Sequence, residues 1–269
     1  MTNAVLVATP FVTLAAAAGA AGTYWYYIQP PEPASSRAVA AGDAHVSVTP
    51  TRPGGDDPSR IIYLNREGAA LTAGADDAKL NHSSIVKNSG RRAVDIPPFA
   101  GTPKAWDTFV QCTREKFAPF AVSIVDRRPI EGSYIMAVVG GKAQELGLEE
   151  SHAAGEDHDH EVTGLAPFNG KSIANAVVLI FAHSLREDPR RMCETGAMEI
   201  AHAYGLDHSR SCKELMSYMT PCGPRSFTNA DLACGEHADR ACEGGRPTQN
   251  SYVRLLEAIG SPSTNQAAR

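Results

Sequence analysis

Met198-Glu199-Ile200-Ala201-His202-Ala203-Tyr204-Gly205-Leu206-Asp207-His208 is the stretch on which the reading of this chain turns. A helix through Met198 to Tyr204 stacks residues 198 and 202 on one face, because they lie four apart, and sets the Glu199 carboxylate beside them. Gly205 takes a positive φ at little cost, so the backbone can bend sharply where the helix stops. That bend returns His208 toward His202. Two imidazoles meeting beside a carboxylate are the residue types that metal-assisted hydrolysis needs. Neutral imidazole nitrogens hold the ion, and the carboxylate takes a proton from water.

Leu215-Met216-Ser217-Tyr218 follows a short way downstream. Glu199, His202, Gly205 and His208 keep the spacing of His-Glu-x-x-His-x-x-Gly-x-x-His. With Met216 added, the segment from Met198 to Tyr218 resembles the metzincin zinc peptidases, whose signature is followed by a methionine-containing turn. A looser likeness, in the order of strands and helices, runs from Arg60 to Gly260. The resemblance implies zinc as cofactor with His202 and His208 as ligands, Glu199 as catalytic base, Met216 as the apolar floor beneath the metal, and Tyr218 as a group that assists the transition state. It also implies an exported endopeptidase acting on a protein or peptide substrate. The fold class expected is α/β (α+β): a metzincin-like mixed twisted sheet, an active-site helix and a disulfide-rich C-terminal subdomain.

Met198 departs from the pattern, since the family carries its first ligand histidine there. A thioether is soft and neutral, better suited to copper(I) than to zinc. Disturbing even an outer-shell partner costs roughly 10–100-fold in metal affinity or activity, so losing an imidazole should cost at least that. Three outcomes are open: weak zinc binding through His202, His208 and water, completion by another side chain, or a scaffold without metal. The last is the alternative function, a pseudopeptidase that binds a peptide or protein partner without cutting it. One source of another ligand is visible: Ser151 to Glu161 carries His152, His158 and His160 among acidic residues. Matrixins bind a structural zinc with a similar loop. That composition suits a polar surface loop, a second metal site, or help to the first metal. Asp207 could orient His208 or serve as an oxygen ligand; His183 and His237 read as surface or capping residues, and Asp76-Asp77 as a turn.

Outward from the site, the six cysteines (Cys112, Cys193, Cys212, Cys222, Cys234, Cys242) all follow residue 111. An even count in an exported protein suggests disulfides. Local spacing favours Cys212–Cys222 and Cys234–Cys242, which leaves Cys112 and Cys193 to join two helices. Strands are expected at Ile61 to Leu64, Ala121 to Val125, Tyr134 to Val139 and Asn175 to Ala182, the last a continuous apolar run suited to a central strand. Helices are expected at Trp106 to Phe117, Arg190 to Tyr204 (opened by Asp188-Pro189) and Gln249 to Ile259.

Residues 1–28 contain an uncharged run from Ala4 to Ile28 that ends in Tyr24-Trp25-Tyr26-Tyr27. It reads as a signal peptide, as an N-terminal membrane anchor with an aromatic belt, or as a buried helix. Residues 29–59 are rich in Pro, Ala, Gly and Ser and read as a disordered tether, leaving 60–269 for the folded domain. The export readings make the protein secreted or extracytoplasmic, with membrane anchoring as one form. A net charge of −5 and a pI near 6.0 argue against nucleic acid as a partner. Apolar residues at 43% and charged residues at 20% are ordinary for a globular chain of 269 residues.

Overall fold

The computed structural model describes residues 58–148, 162–219 and 222–262. Its elements run β1 (Ile61–Asn65), β2 (Ala69–Ala73), β3 (His82–Ser83), α1 (Ser84–Asn88), β4 (Ala93–Ile96), α2 (Pro103–Phe117), β5 (Ser123–Val125), β6 (Tyr134–Val139), a 3-10 turn at Ala143–Leu146, β7 (Gly164–Leu165), β8 (Val177–Ile180), α3 (Pro189–Ala203), β9 (Leu232–Ala233), β10 (Thr248–Gln249) and α4 (Ser251–Ile259). Helices packed on a mixed sheet, with a disulfide-braced C-terminal third, make this an α+β fold.

The main sheet has the order β5-β1-β6-β8-β7. Its first four strands are parallel, and β7 closes the far edge antiparallel to β8. Successive side chains point to opposite faces of a strand, so the sheet feeds two cores. Ile62, Leu64, Ile135, Ala137, Val178 and Ile180 join a cluster with α2, α3 and α4. Tyr63, Met136, Val138, Val177 and Leu179 join another with Leu71, Ile85, Val86 and Val94. Cover on both faces explains why β6 and β8 are buried at every residue. A three-stranded sheet, β3-β2-β4, supplies part of that second cover.

Two helices carry the site side of the sheet. In α2, Thr102 accepts from the Ala105 N–H, Pro103 opens the first turn, and Trp106, Phe109, Val110, Thr113 and Phe117 are buried. In α3, Asp188 accepts from the Arg191 N–H and Pro189 again sits at the start. Cys112–Cys193 joins the two helices, while Cys212–Cys222 and Cys234–Cys242 close short loops, the pairing that spacing favoured. Three disulfides are what an oxidising, extracytoplasmic compartment permits. Among the described residues no helix is long and apolar enough to cross a membrane.

The differences from expectation are local. The strand expected at Ala121 to Val125 shortens to β5 and lies on an edge. The run Asn175 to Ala182 forms a strand only over β8, because Asn175 has φ 54 and leaves the extended region. β8 lies inside the sheet with one neighbour between it and free edge. Residues 69–96 hold β2, β3, α1 and β4, which the sequence reading did not place. Ser59, assigned to the tether, belongs to the fold: its hydroxyl accepts from the Asn175 N–H at 3.1 Å and its carbonyl accepts from Tyr204 Oη at 2.6 Å. Residues 1–28, most of the 29–59 tether, and the histidine loop with His152, His158 and His160 lie outside the described residues.

Candidate active site

The last turns of α3 bury Glu199 and His202 at 3% and 5% exposure. The helix ends at Tyr204, and Gly205 follows at φ 86. A Cβ on Gly205 would also lie 2.8 Å from backbone atoms of Gly170 and Lys171, so the bend needs glycine twice over. Beyond the bend His208 returns. Its Nε2 stands 2.9 Å from Nε2 of His202.

Hydrogen bonding fixes what those two nitrogens present. Nδ1 of His202 lies 2.7 Å from the Leu206 carbonyl, which can only accept, so Nδ1 carries the proton. Nδ1 of His208 lies 2.7 Å from Oε1 of Glu236. The Glu236 carboxyl is desolvated by burial, yet bonds from His208 and Arg240 outweigh that and hold it well below the usual carboxylate range; an ionised carboxylate also only accepts. Burial, with His208 second, pushes the His202 imidazole down to about 3, so it is neutral at neutral pH. Nε2 of His202, the acceptor nitrogen of a neutral ring, thus faces Nε2 of His208 at 2.9 Å. The acceptors behind the two rings, the Leu206 carbonyl and the Glu236 carboxylate, are of the kinds that metal-bound histidines usually have.

Glu199 lines the same cleft as this pair. Its Oε2 is buried and has no hydrogen-bond partner among the described residues, and burial pushes its carboxyl up to about 8. A divalent cation held by the imidazoles would oppose that shift by favouring the charged form. Gly164 of β7 presses on Glu199 from the sheet edge: a Cβ there would sit 2.6 Å from Oε1. Tyr218 sets its ring 4.5 Å from that of His208, tilted by 40°. Burial, then the Glu199 and Glu236 charges, pushes its phenol well above the ordinary value, so it keeps a proton to donate.

Met216 is fully buried, and its carbonyl accepts from the Ser209 N–H at 2.9 Å, which ties the Leu215–Tyr218 turn to the segment just after His208. Met198 is 5% exposed and packs in the helix-side core. A cleft opens beside the site and is lined by Ile85, Leu146, Leu165 and Phe168 together with Glu199, His202 and His208. Met198 is not among the residues that line it.

Asp207, His208 and Glu236 place one ligand atom each within 4.8 Å of one another. That trio is not a convincing metal centre, because a guanidinium already occupies it. Arg240 donates to both Asp207 oxygens at 2.7 Å and to Glu236 Oε1 at 2.7 Å. Asp207 also accepts from the His208 and Glu243 N–H groups at 2.8 Å. It therefore orders the chain around His208 through its backbone, and its carboxylate is consumed in doing so.

Sequence reasoning missed Glu236 and Arg240. The only signal near them was the Cys234 and Cys242 pair that closes their loop. His183 is exposed and 3.8 Å from Glu187, and His237 is exposed, as expected of surface residues. Asp77 accepts from the Lys79 N–H in a turn, also as expected.

The chain matches no protein-family model and no curated protein. Among solved structures it is similar to the GM1-bound form of the ECX AB5 holotoxin at 12% identity, with 77% of this chain and 74% of that chain covered and a TM-score of 0.25. A superposition that loose carries no argument.

Proposed function

We propose that the chain is an exported zinc-dependent metalloendopeptidase that hydrolyses peptide bonds in a protein or peptide substrate. The observation that supports this reading is the approach of Nε2 of His202 to Nε2 of His208 at 2.9 Å in a cleft that Glu199, with its buried Oε2, also lines. His202 and His208 would hold zinc there weakly through their nitrogens, with water completing the set. When bound it would supply Lewis acidity toward a water and a peptide carbonyl. Glu199 would take the proton from the attacking water and hand it to the departing amine. Tyr218 keeps its phenolic proton and can donate it to the oxygen on which negative charge develops. Ile85, Leu165 and Phe168 give the cleft apolar walls that exclude water from a bound peptide.

The disulfides support export, and the uncharged run from Ala4 to Ile28 supports a secretory signal or an anchor as the route.

One observation favours the second reading. Met198 packs in the helix-side core and does not line the cleft, and its thioether is a soft, neutral donor poorly suited to zinc. A pseudopeptidase that binds a peptide in the same cleft would keep the fold and lose the metal.

The test is metal analysis of the oxidised protein followed by cleavage of an unfolded protein substrate. The peptidase reading expects near-stoichiometric zinc and a Glu199→Gln variant that retains zinc but loses about 10²–10⁴-fold in kcat/KM. Zinc-free protein that still binds peptides would establish the second reading.

A further inference from the structure

Arg225 stands just past the loop that Cys212–Cys222 closes, and its guanidinium turns back into that loop. Nη1 donates to the Ser217 carbonyl at 2.6 Å and Nη2 to the Met219 carbonyl at 2.7 Å. Those carbonyls belong to the residues on either side of Tyr218, so one planar group grips the backbone before and after the ring. The backbone of Arg225 is tied in turn to both long helices. Its N–H donates to Oε1 of Glu194 in α3 at 3.3 Å, and its carbonyl accepts from the Lys116 ammonium of α2. Arg190, also on α3, donates from Nε to the same Glu194 oxygen at 3.2 Å.

We propose that Arg225 is a positioning residue: it clamps the carbonyls that flank Tyr218 and, through Glu194, keeps that segment in register with the helix that carries Glu199 and His202. The inference rests on reading Tyr218 as the group that assists the transition state.

The turn that holds Tyr218 is fastened unevenly along its length. Met216 is tied on both sides: its carbonyl accepts from the Ser209 N–H at 2.9 Å, and its N–H donates to Oε1 of Glu214 at 3.3 Å. The other Glu214 oxygen accepts from the Thr228 N–H at 2.8 Å, which carries that fastening into the next segment. Past Ser217 the chain turns toward the surface, and Met219 is 39% exposed. The Met219 N–H donates to Ser217 Oγ at 3.1 Å, a bond that shapes the turn from within. Arg225 attaches the same three residues to α2 and α3. A rigid fork of donors sets direction as well as distance, so it decides where the Tyr218 ring stands, 4.5 Å from that of His208. A displacement near 1 Å at a reacting group can cost roughly 10²-fold in rate.

The experiment uses the oxidised full chain and compares wild type with Arg225→Ala, Arg225→Lys, Tyr218→Phe and the Arg225→Ala, Tyr218→Phe double variant. Proton cross-relaxation between the Tyr218 and His208 rings in metal-free protein reports where the tyrosine stands. Cleavage of an unfolded protein by the zinc-loaded protein reports kcat and KM. In Arg225→Ala the ring contact should weaken and kcat should fall about 10²-fold with KM little changed. Arg225→Lys keeps the charge without the planar fork and should fall between the two. The double variant should match Tyr218→Phe in kcat, because Arg225 acts through that ring. An intact ring contact in Arg225→Ala would overturn the proposal, as would additive losses in the double variant or a lowered melting temperature as the sole change. If Arg225→Ala does not fold, Arg225→Lys decides: a weakened contact with lowered kcat supports the clamp, and both intact overturn it. If wild type cleaves nothing while Arg225→Ala still displaces the ring, the peptidase reading fails and the positioning role stands.

Discussion

At position 198 the helix presents a thioether, and one turn later, at 202, an imidazole. Replacing the thioether with a ligand of similar size tests what the substitution costs. Met198→His should raise zinc affinity by at least about 10-fold, measured by chelator competition. In metal-free protein the same variant should melt earlier, because an unpartnered imidazole in the helix-side core costs about 1–3 kcal/mol. Gly164 offers a different probe of the base. A methyl group there would meet Glu199 Cγ at 2.7 Å and Thr195 Cγ2 at 2.8 Å, so Gly164→Ala should push the carboxylate out of place. A displacement near 1 Å at a reacting group can cost roughly 10²-fold, so kcat should drop by about that factor with zinc content unchanged. Several of the site residues could be read directly from the sequence. Glu199, His202, Gly205 and His208 are joined by one helix and one bend, so their spacing encodes their geometry. Glu236 could not be read, because its contact with His208 joins residues 28 apart through a loop with no periodicity.

Helix α3 is the element that transmits sequence into site. Its start was legible from Asp188-Pro189 and its stop from Gly205, each of which acts within one turn. Strands β3 and β7 were not legible, since two residues cannot show an alternation. Their pairing is decided by the neighbours that receive them. The stop at Gly205 is the fragile end of the element. Gly205→Ala must hold an L-residue at φ 86 and press on the Gly170–Lys171 backbone, so a loss of at least about 1–2 kcal/mol is expected in denaturant melts. The link from α3 to α2 is covalent. Opening Cys112–Cys193, at a separation of 81, by paired alanine substitution should cost about 4 kcal/mol in the chain-entropy account, read as a shifted midpoint with cooperativity retained.

Across the whole molecule, charge couples the C-terminal third to the site. Asp207 is desolvated by burial, but bonds from Arg240, Glu243 and His208 outweigh this and lower its pKa; Glu236 is lowered as well. A carboxylate whose folded pKa lies below its unfolded value stabilises the fold above the unfolded pKa, near 4, and that contribution is lost as pH falls through the folded value. Metal-free wild type should therefore lose stability progressively below about pH 4. Arg240→Met should already lose roughly 3 kcal/mol at pH 7, since it strands a buried charge, and the gap to wild type should narrow as the solution is acidified. Melting curves from pH 7 to pH 3 check both. The described fold also fastens its first residues to its last. Arg60 donates through its guanidinium to the Ile259 carbonyl, the Ala121 N–H donates to the Gly260 carbonyl, and the Ser59 carbonyl is held by Tyr204. Entry and exit thus lie side by side, and the architecture is topologically close to a ring. A short linker joining the two, with new ends opened at an exposed turn elsewhere, should give a circular permutant that keeps the parent's shape.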